Sequence, residues 1–302
     1  MTQPSLPPQP PPSWTYIFSR SYTLYRQRFW AFFRIALLPL LIANMFTQAW
    51  RVGIGELVRR GIVTFNFRRL SLKSLAVWLI FPFVQQGVYW LISTVFFAAV
   101  ASNVLGREED DPGGNSTLPA DAYSTVRQRL GAIVTLGLIT WPLMYFGRTA
   151  LVLAILGLEL RLKIHRLDPV FTAAAIVAPI VPAGLLLSRF ALAIPALMED
   201  PSISYEEAIR SSLERTVGWT GFVVIFLSKS AILGYMVYWL TDYAMEMLGQ
   251  RWTLSDTLYS WTTWAIYLGL AAILESPLFI AFSVLHKELK NKREGALSAA
   301  VG

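Results

Sequence analysis

Residues 21–49 read Ser21-Tyr-Thr-Leu-Tyr25-Arg-Gln-Arg-Phe29-Trp30-Ala-Phe-Phe-Arg34-Ile-Ala-Leu-Leu-Pro39-Leu-Leu-Ile-Ala-Asn-Met-Phe-Thr-Gln-Ala49. A basic, amphipathic segment runs straight into an apolar run, Trp30–Ala49. That run has the length of about 20 residues that one bilayer crossing needs. Upstream, Ser13 is placed to cap a helix. Trp14, Ile17, Phe18, Tyr22 and Tyr25 then recur at helical spacing as one apolar stripe, decorated by Arg20, Arg26 and Arg28. The reading is a short surface helix followed at once by a membrane span.

The whole chain supports that reading. It has 302 residues, of which 55% are hydrophobic and 15% charged, with a mean hydropathy of +0.48. Soluble domains carry roughly 25% charged residues. A single water-soluble core does not absorb such a composition, so lipid must solvate part of it. Trp30, Trp50, Trp78, Trp219 and Trp252 sit at the ends of apolar runs, where amphipathic rings meet headgroups. The net charge of +7 comes from basic residues beside those runs. It therefore points to anionic headgroups and not to nucleic acid. With no cysteine, disulfides, thiolate metal sites and Cys nucleophiles are excluded. The first 28 residues lack the charged start and apolar stretch of a signal peptide. Residues 1–12 form a Pro-rich tail expected to be disordered, residues 13–290 one transmembrane domain, and residues 291–302 a short polar tail.

Six apolar runs are long enough to span: Trp30–Ala49, Leu75–Leu105, Gly131–Gly157, Val170–Met198, Trp219–Met247 and Leu258–His286. Pro82, Pro142, Pro179, Pro182, Pro195 and Pro277 lie within them and predict kinks. The basic stretch Arg51–Ser74 reads as an interfacial segment. Glu108–Asp111, followed by Pro-Gly-Gly-Asn-Ser, reads as a solvated polar loop.

Three of the six runs are preceded by a short amphipathic helix. The second such helix lies around Asp121–Arg129, with Ala122, Val126 and Leu130 on one face. The third begins at Ser204, which has capping-box spacing to Glu207. Tyr205, Ala208, Ile209 and Leu213 form its apolar side. Arg26-Gln-Arg-Phe29 and Arg127-Gln-Arg-Leu130 match closely, and Glu214-Arg-Thr-Val217 more loosely. The predicted fold is all-α: a polytopic bundle of about six spans, arranged as three pseudo-repeated hairpins, each led by an interfacial helix. Equivalent surface helices share one side of the membrane. A slim basic excess makes that side, with both termini, cytoplasmic.

One segment carries a resemblance. Arg189-Phe-Ala-Leu-Ala-Ile-Pro195-Ala-Leu-Met-Glu199-Asp200 leads into Tyr205-Glu-Glu-Ala208-Ile-Arg-Ser211-Ser-Leu-Glu-Arg-Thr-Val-Gly218-Trp219. This is similar to the membrane domain attached to some bacterial glycerophosphodiester phosphodiesterases, and to related six-span bacterial membrane proteins. Ser21–Trp30 resembles how those domains begin. The resemblance covers roughly residues 13–290. It implies a fold and a bacterial cytoplasmic membrane more than an activity. No hydrolase domain follows the last span in these residues, so phosphodiesterase chemistry is not expected. Leu213 stands where the family often has Trp.

Ionisable groups inside a bilayer each cost about 2.5–3.5 kcal/mol on insertion scales, so each needs a reason. Arg34 and Arg148 lie near span ends and can snorkel. Lys229 lies roughly 15 Å beyond Trp219, and Glu275 roughly 16 Å before His286. The two could meet near the midplane, with Arg189 in the corresponding position of the second hairpin. The expected interior cluster is Glu275 with Lys229, Arg189 or both, serving either as an ion pair that fixes packing or as part of a substrate or ion pathway. Arg26, Arg28, Arg34, Arg127, Arg129 and Arg215 are the expected lipid-headgroup contacts. His165 and His286 lack a second metal ligand at useful spacing and read as interfacial. No nucleophile–base pair, phosphate loop or dinucleotide fingerprint occurs, and no cofactor is expected.

Three function classes follow. The first is a non-catalytic protein that organises the envelope membrane or scaffolds a protein partner on its cytoplasmic face. The second is a transporter or channel for a small solute or lipid, working through Glu275. The third, an intramembrane enzyme, has the least behind it.

Overall fold

The computed structural model describes residues 13–61, 72–105, 119–146 apart from 144, 190–216 apart from 201, the single positions 221, 243 and 247, and residues 256–301. All elements among the described residues are helical. They are α1 (Trp14–Gln27), α2 (Phe29–Arg59), α3 (Leu72–Leu105), α4 (Pro119–Gln128), α5 (Leu130–Leu143), α6 (Ala193–Glu199), α7 (Tyr205–Thr216) and α8 (Asp256–Val301).

Local chemistry sets the ends of the short helices. The Tyr16 N–H donates to Ser13 Oγ at 3.4 Å, so Ser13 caps α1 as its sequence position predicts. In α7 the Glu207 N–H donates to Ser204 Oγ at 3.2 Å, and the Ser204 N–H donates to Glu207 Oε2 at 2.7 Å. The box is closed in both directions. α1 and α4 stop in the same way, just before the second arginine of an Arg-Gln-Arg triplet. Arg28 leaves helical geometry at φ −120°, ψ 28°, yet its carbonyl accepts from the Phe32 N–H at 3.1 Å and so opens α2. The Arg129 carbonyl likewise accepts from the Ile133 N–H at 3.0 Å and opens α5. Each junction is a one-residue hinge between a surface helix and an apolar one.

Three helices are long and apolar enough to cross a membrane: α2, Ile80–Leu105 of α3, and Leu268–Lys292 of α8. α5 is a shorter apolar helix. α2 shows what surrounds it. It buries Phe32, Ile35, Ala36, Leu40 and Ala43 on one side, and exposes Leu38 (54%), Ile42 (49%) and Met45 (61%) on the other. A long helix with apolar side chains exposed on its outer face has the composition of a membrane span. α3 and α8 are central. Phe96–Ala101 are buried without a break, and so are Ile280–His286. Phe97 stacks on Phe279 at 4.6 Å, and Phe96 meets the same ring edge-on at 5.1 Å. Ala98, Ala99 and Ala101 on α3 let its neighbours approach closely.

Several expectations change in detail. α2 runs on to Arg59, so the first part of the expected interfacial segment Arg51–Ser74 continues the span; Gly61, at φ 70°, then turns the chain. α8 continues through the expected polar tail to Val301. Most of the fourth and fifth runs, the end of the third and the Glu108–Asp111 loop lie outside the described residues. Of the six expected spans, three are represented by helices long and apolar enough to cross. The predicted stripe of α1 is also rearranged. Ile17 and Ser21 are its buried line, while Phe18 (45%) and Tyr22 (64%) face outward.

Candidate functional site

Two polar sites stand out, one inside the bundle and one at its end. The inner site is Glu275, on the membrane-crossing part of α8. Tyr89, from α3, donates its hydroxyl to Glu275 Oε1 at 2.8 Å. Glu275 Oε2 is also buried, and no hydrogen bond reaches it among the described residues. The expected partners Lys229 and Arg189 lie outside the described residues, as does Arg148.

The second site gathers four side chains where α6, α7 and α8 meet. Glu199 ends α6. Its Oε1 accepts from Lys290 Nζ at 3.0 Å, and its Oε2 lies 3.0 Å from His286 Nε2. Arg215, in the last turn of α7, sits across the imidazole edge with Nη1 2.7 Å from Nε2 and 3.1 Å from Nδ1. A carboxylate only accepts, so Nε2 is the nitrogen that carries the proton. The His286 ring is fully buried. The hydrogen bond from His286, with help from Lys290, holds the Glu199 carboxyl down at about 2 against the opposing effect of burial. Asp200 is also held below the usual carboxylate range, by hydrogen bonds from the Ser202 hydroxyl and backbone N–H. A cavity of about 560 Å³ opens beside this group, lined by Glu207, Arg210, Glu214 and Glu294 among others.

The six arginines expected at headgroups divide into two sets. Arg26, Arg34 and Arg127 are exposed, as a lipid-facing cation must be; Arg28, Arg129 and Arg215 are half-buried. Arg129 reaches across to the α6–α7 connection, donating to the carbonyls of Ile203 at 2.7 Å and Asp200 at 3.3 Å. Arg215 joins the His286 group. Seven residues before each half-buried arginine stands a small buried residue: Ser21, Ala122 and Ala208. Tyr123 of α4 ties the same end of the bundle to α2 by donating to the Ile35 carbonyl at 2.5 Å.

Sequence reasoning missed the Glu199–His286–Lys290–Arg215 group, whose members come from three separate helices. One signal was available: both Glu199 and Arg215 fall inside the segment that carries the family resemblance. These observations define, among the described residues, an all-helical chain with three helices long and apolar enough to cross a bilayer and a bonded polar layer where α6, α7 and α8 meet. Comparison with protein-family models, with curated proteins and with solved structures finds no match.

Proposed function

We propose that the chain is a six-span protein of a bacterial cytoplasmic membrane, built from three hairpins each led by an interfacial helix, and that it acts without catalysis to organise the envelope membrane or to hold a partner on its cytoplasmic face. The observation that carries this reading is the common register of the three short helices. Each places a small buried residue seven positions before a half-buried arginine. Two of those arginines, Arg129 and Arg215, bond to other elements of the same polar layer. The resemblance to the membrane domain of glycerophosphodiester phosphodiesterases supports the same architecture. In this reading the half-buried arginines fasten the platform together, and the exposed Arg26, Arg34 and Arg127 hold anionic headgroups.

The test is lipid retention. The chain is purified in nanodiscs of mixed anionic and zwitterionic lipid, as wild type and as the Arg26→Gln/Arg127→Gln double variant. Enrichment of anionic lipid around the wild type, reduced in a variant that remains folded, is the expected result. Equal lipid composition around both proteins removes the basis for the reading.

A further inference from the structure

Glu275 is not used by the platform, and the inference drawn from it goes beyond that reading. Its side chain projects from the membrane-crossing part of α8, about eleven residues before the polar layer reached by His286, or roughly 16 Å along the helix. A carboxylate at that depth needs strong compensation: a cation, or several donors. Among the described residues one neutral donor, the Tyr89 hydroxyl, reaches Oε1. It leaves Oε2 buried with no hydrogen bond among the described residues. Among the described residues, Tyr89 is the titratable group that reaches this carboxyl. The site is therefore a carboxyl held at one oxygen and, among the described residues, open at the other.

We propose that Glu275 is a proton-binding site within the bilayer: Tyr89 holds Oε1 as the carbonyl-like oxygen, and Oε2 carries an exchangeable proton. The neutral acid satisfies the geometry in a way the anion does not. Tyr89 donates to Oε1, which only needs to accept, and the proton on Oε2 removes the charge that hydrocarbon penalises. Tyr89 is a positioning residue, since it fixes which oxygen is protonated.

The experiment uses the intact chain in proteoliposomes treated with the hydrophobic reagent dicyclohexylcarbodiimide. A protonated carboxyl passes its proton to a carbodiimide nitrogen as its oxygen adds to the central carbon. The adduct then rearranges to a stable N-acylurea, and nothing is lost. Peptide mapping should find one carbodiimide mass added at Glu275 and none in Glu275→Gln. The infrared spectrum of the unlabelled protein should show a carboxylic C=O band that moves in D2O, is absent in Glu275→Gln, and rises in frequency in Tyr89→Phe, where the hydrogen bond to Oε1 is gone. An unlabelled Glu275 with no protonated-carboxyl band overturns the proposal and shows an ion-paired carboxylate, with Lys229 or Arg189 as the cation to examine. A band that is unmoved in Tyr89→Phe overturns the role given to Tyr89. None of these readouts depends on lipid retention, so the two proposals fail separately.

Discussion

His286 Nε2 and Glu199 Oε2 are 3.0 Å apart, although 87 residues of chain separate them. That contact joins the end of α6 to the interior of α8, and Arg215 and Lys290 complete it from either side. The three cationic or proton-bearing neighbours explain why Glu199 stays ionised in a site only 22% exposed. They also mean that removing the charge removes the reason for the group to assemble.

The contact gives a pH dependence of definite sign. The Glu199 carboxyl lies at about 2 when folded, against an ordinary value of 4.5. A group whose folded value is depressed adds stability that is complete above the unfolded value and is lost as pH falls toward the folded one. Thermal unfolding in detergent should therefore show wild type losing stability between about pH 5 and pH 2. Glu199→Gln should start less stable at neutral pH and lack that component of the fall. Parallel curves for the two proteins would show that Glu199 is not held by this group.

Arg127 and Arg129 are two residues apart and of the same type, but the structure assigns them different work. Arg129 bonds two carbonyls of the α6–α7 connection, whereas Arg127 is exposed. Arg129→Ala should cost about 1.5–3 kcal/mol, the scale of hydrogen bonds that involve a charged group. Arg127→Ala should stay within about 0.5 kcal/mol, as surface changes do. Comparing the two melting midpoints in the same detergent tests the assignment. Equal losses would contradict it.

The capping box of α7 makes a local prediction. Ser204 Oγ accepts from the Glu207 N–H, and Glu207 returns the bond. Ser204→Ala should cost about 1 kcal/mol. It should also speed hydrogen exchange at Glu207 in the first turn, leaving α1 and α4 unaffected. Unchanged protection at Glu207 would mean that the box is not formed in the membrane.

What the sequence disclosed was local, and what it withheld was not. The caps at Ser13 and Ser204, the arginine triplets and the apolar runs are legible because their partners lie within four residues. The faces of the short helices were read in part: Ile17, Ala122, Val126 and Ala208 are buried as their spacing predicts, but Phe18, Tyr22, Leu130 and Leu213 are exposed, for a physical reason. In a membrane protein the large apolar and aromatic side chains can face lipid and headgroups, while small residues go inward where helices approach. So Ser21, Ser212 and Thr216 are buried, whereas Tyr22 and Leu213 are exposed. The Glu199 group was hidden because the contacts that tie its α8 members to Glu199 and Arg215 span 71 to 91 residues. Glu275 was legible as a costly residue, but its partner Tyr89 was not, because tyrosine is common in such runs and carries no charge to betray it.

The seam between α3 and α5 offers a comparison between two glycines. A methyl group on Gly87 would lie 2.7 Å from Trp141 Nε1 and within 3.3 Å of two further ring atoms. On Gly137 it would lie 2.7 Å from Leu91 Cδ2. The distances are equal, but the obstacles differ. Leu91 Cδ2 is the tip of a flexible side chain and can swing aside. The Trp141 indole is rigid and packed against Phe83, Trp90 and Tyr145, so it has nowhere to go. Gly87→Ala should therefore destabilise the seam by about 1–3 kcal/mol, the usual cost of overpacking. Gly137→Ala should be milder, and the helix preference of alanine over glycine offsets part of its cost. Trp141 fluorescence is not separable among 11 tryptophans, so the measurement is thermal stability paired with crosslinking of cysteines introduced at exposed positions of the two helices. A larger loss for Gly137→Ala than for Gly87→Ala would show that the indole, and not the leucine, is the side chain able to move.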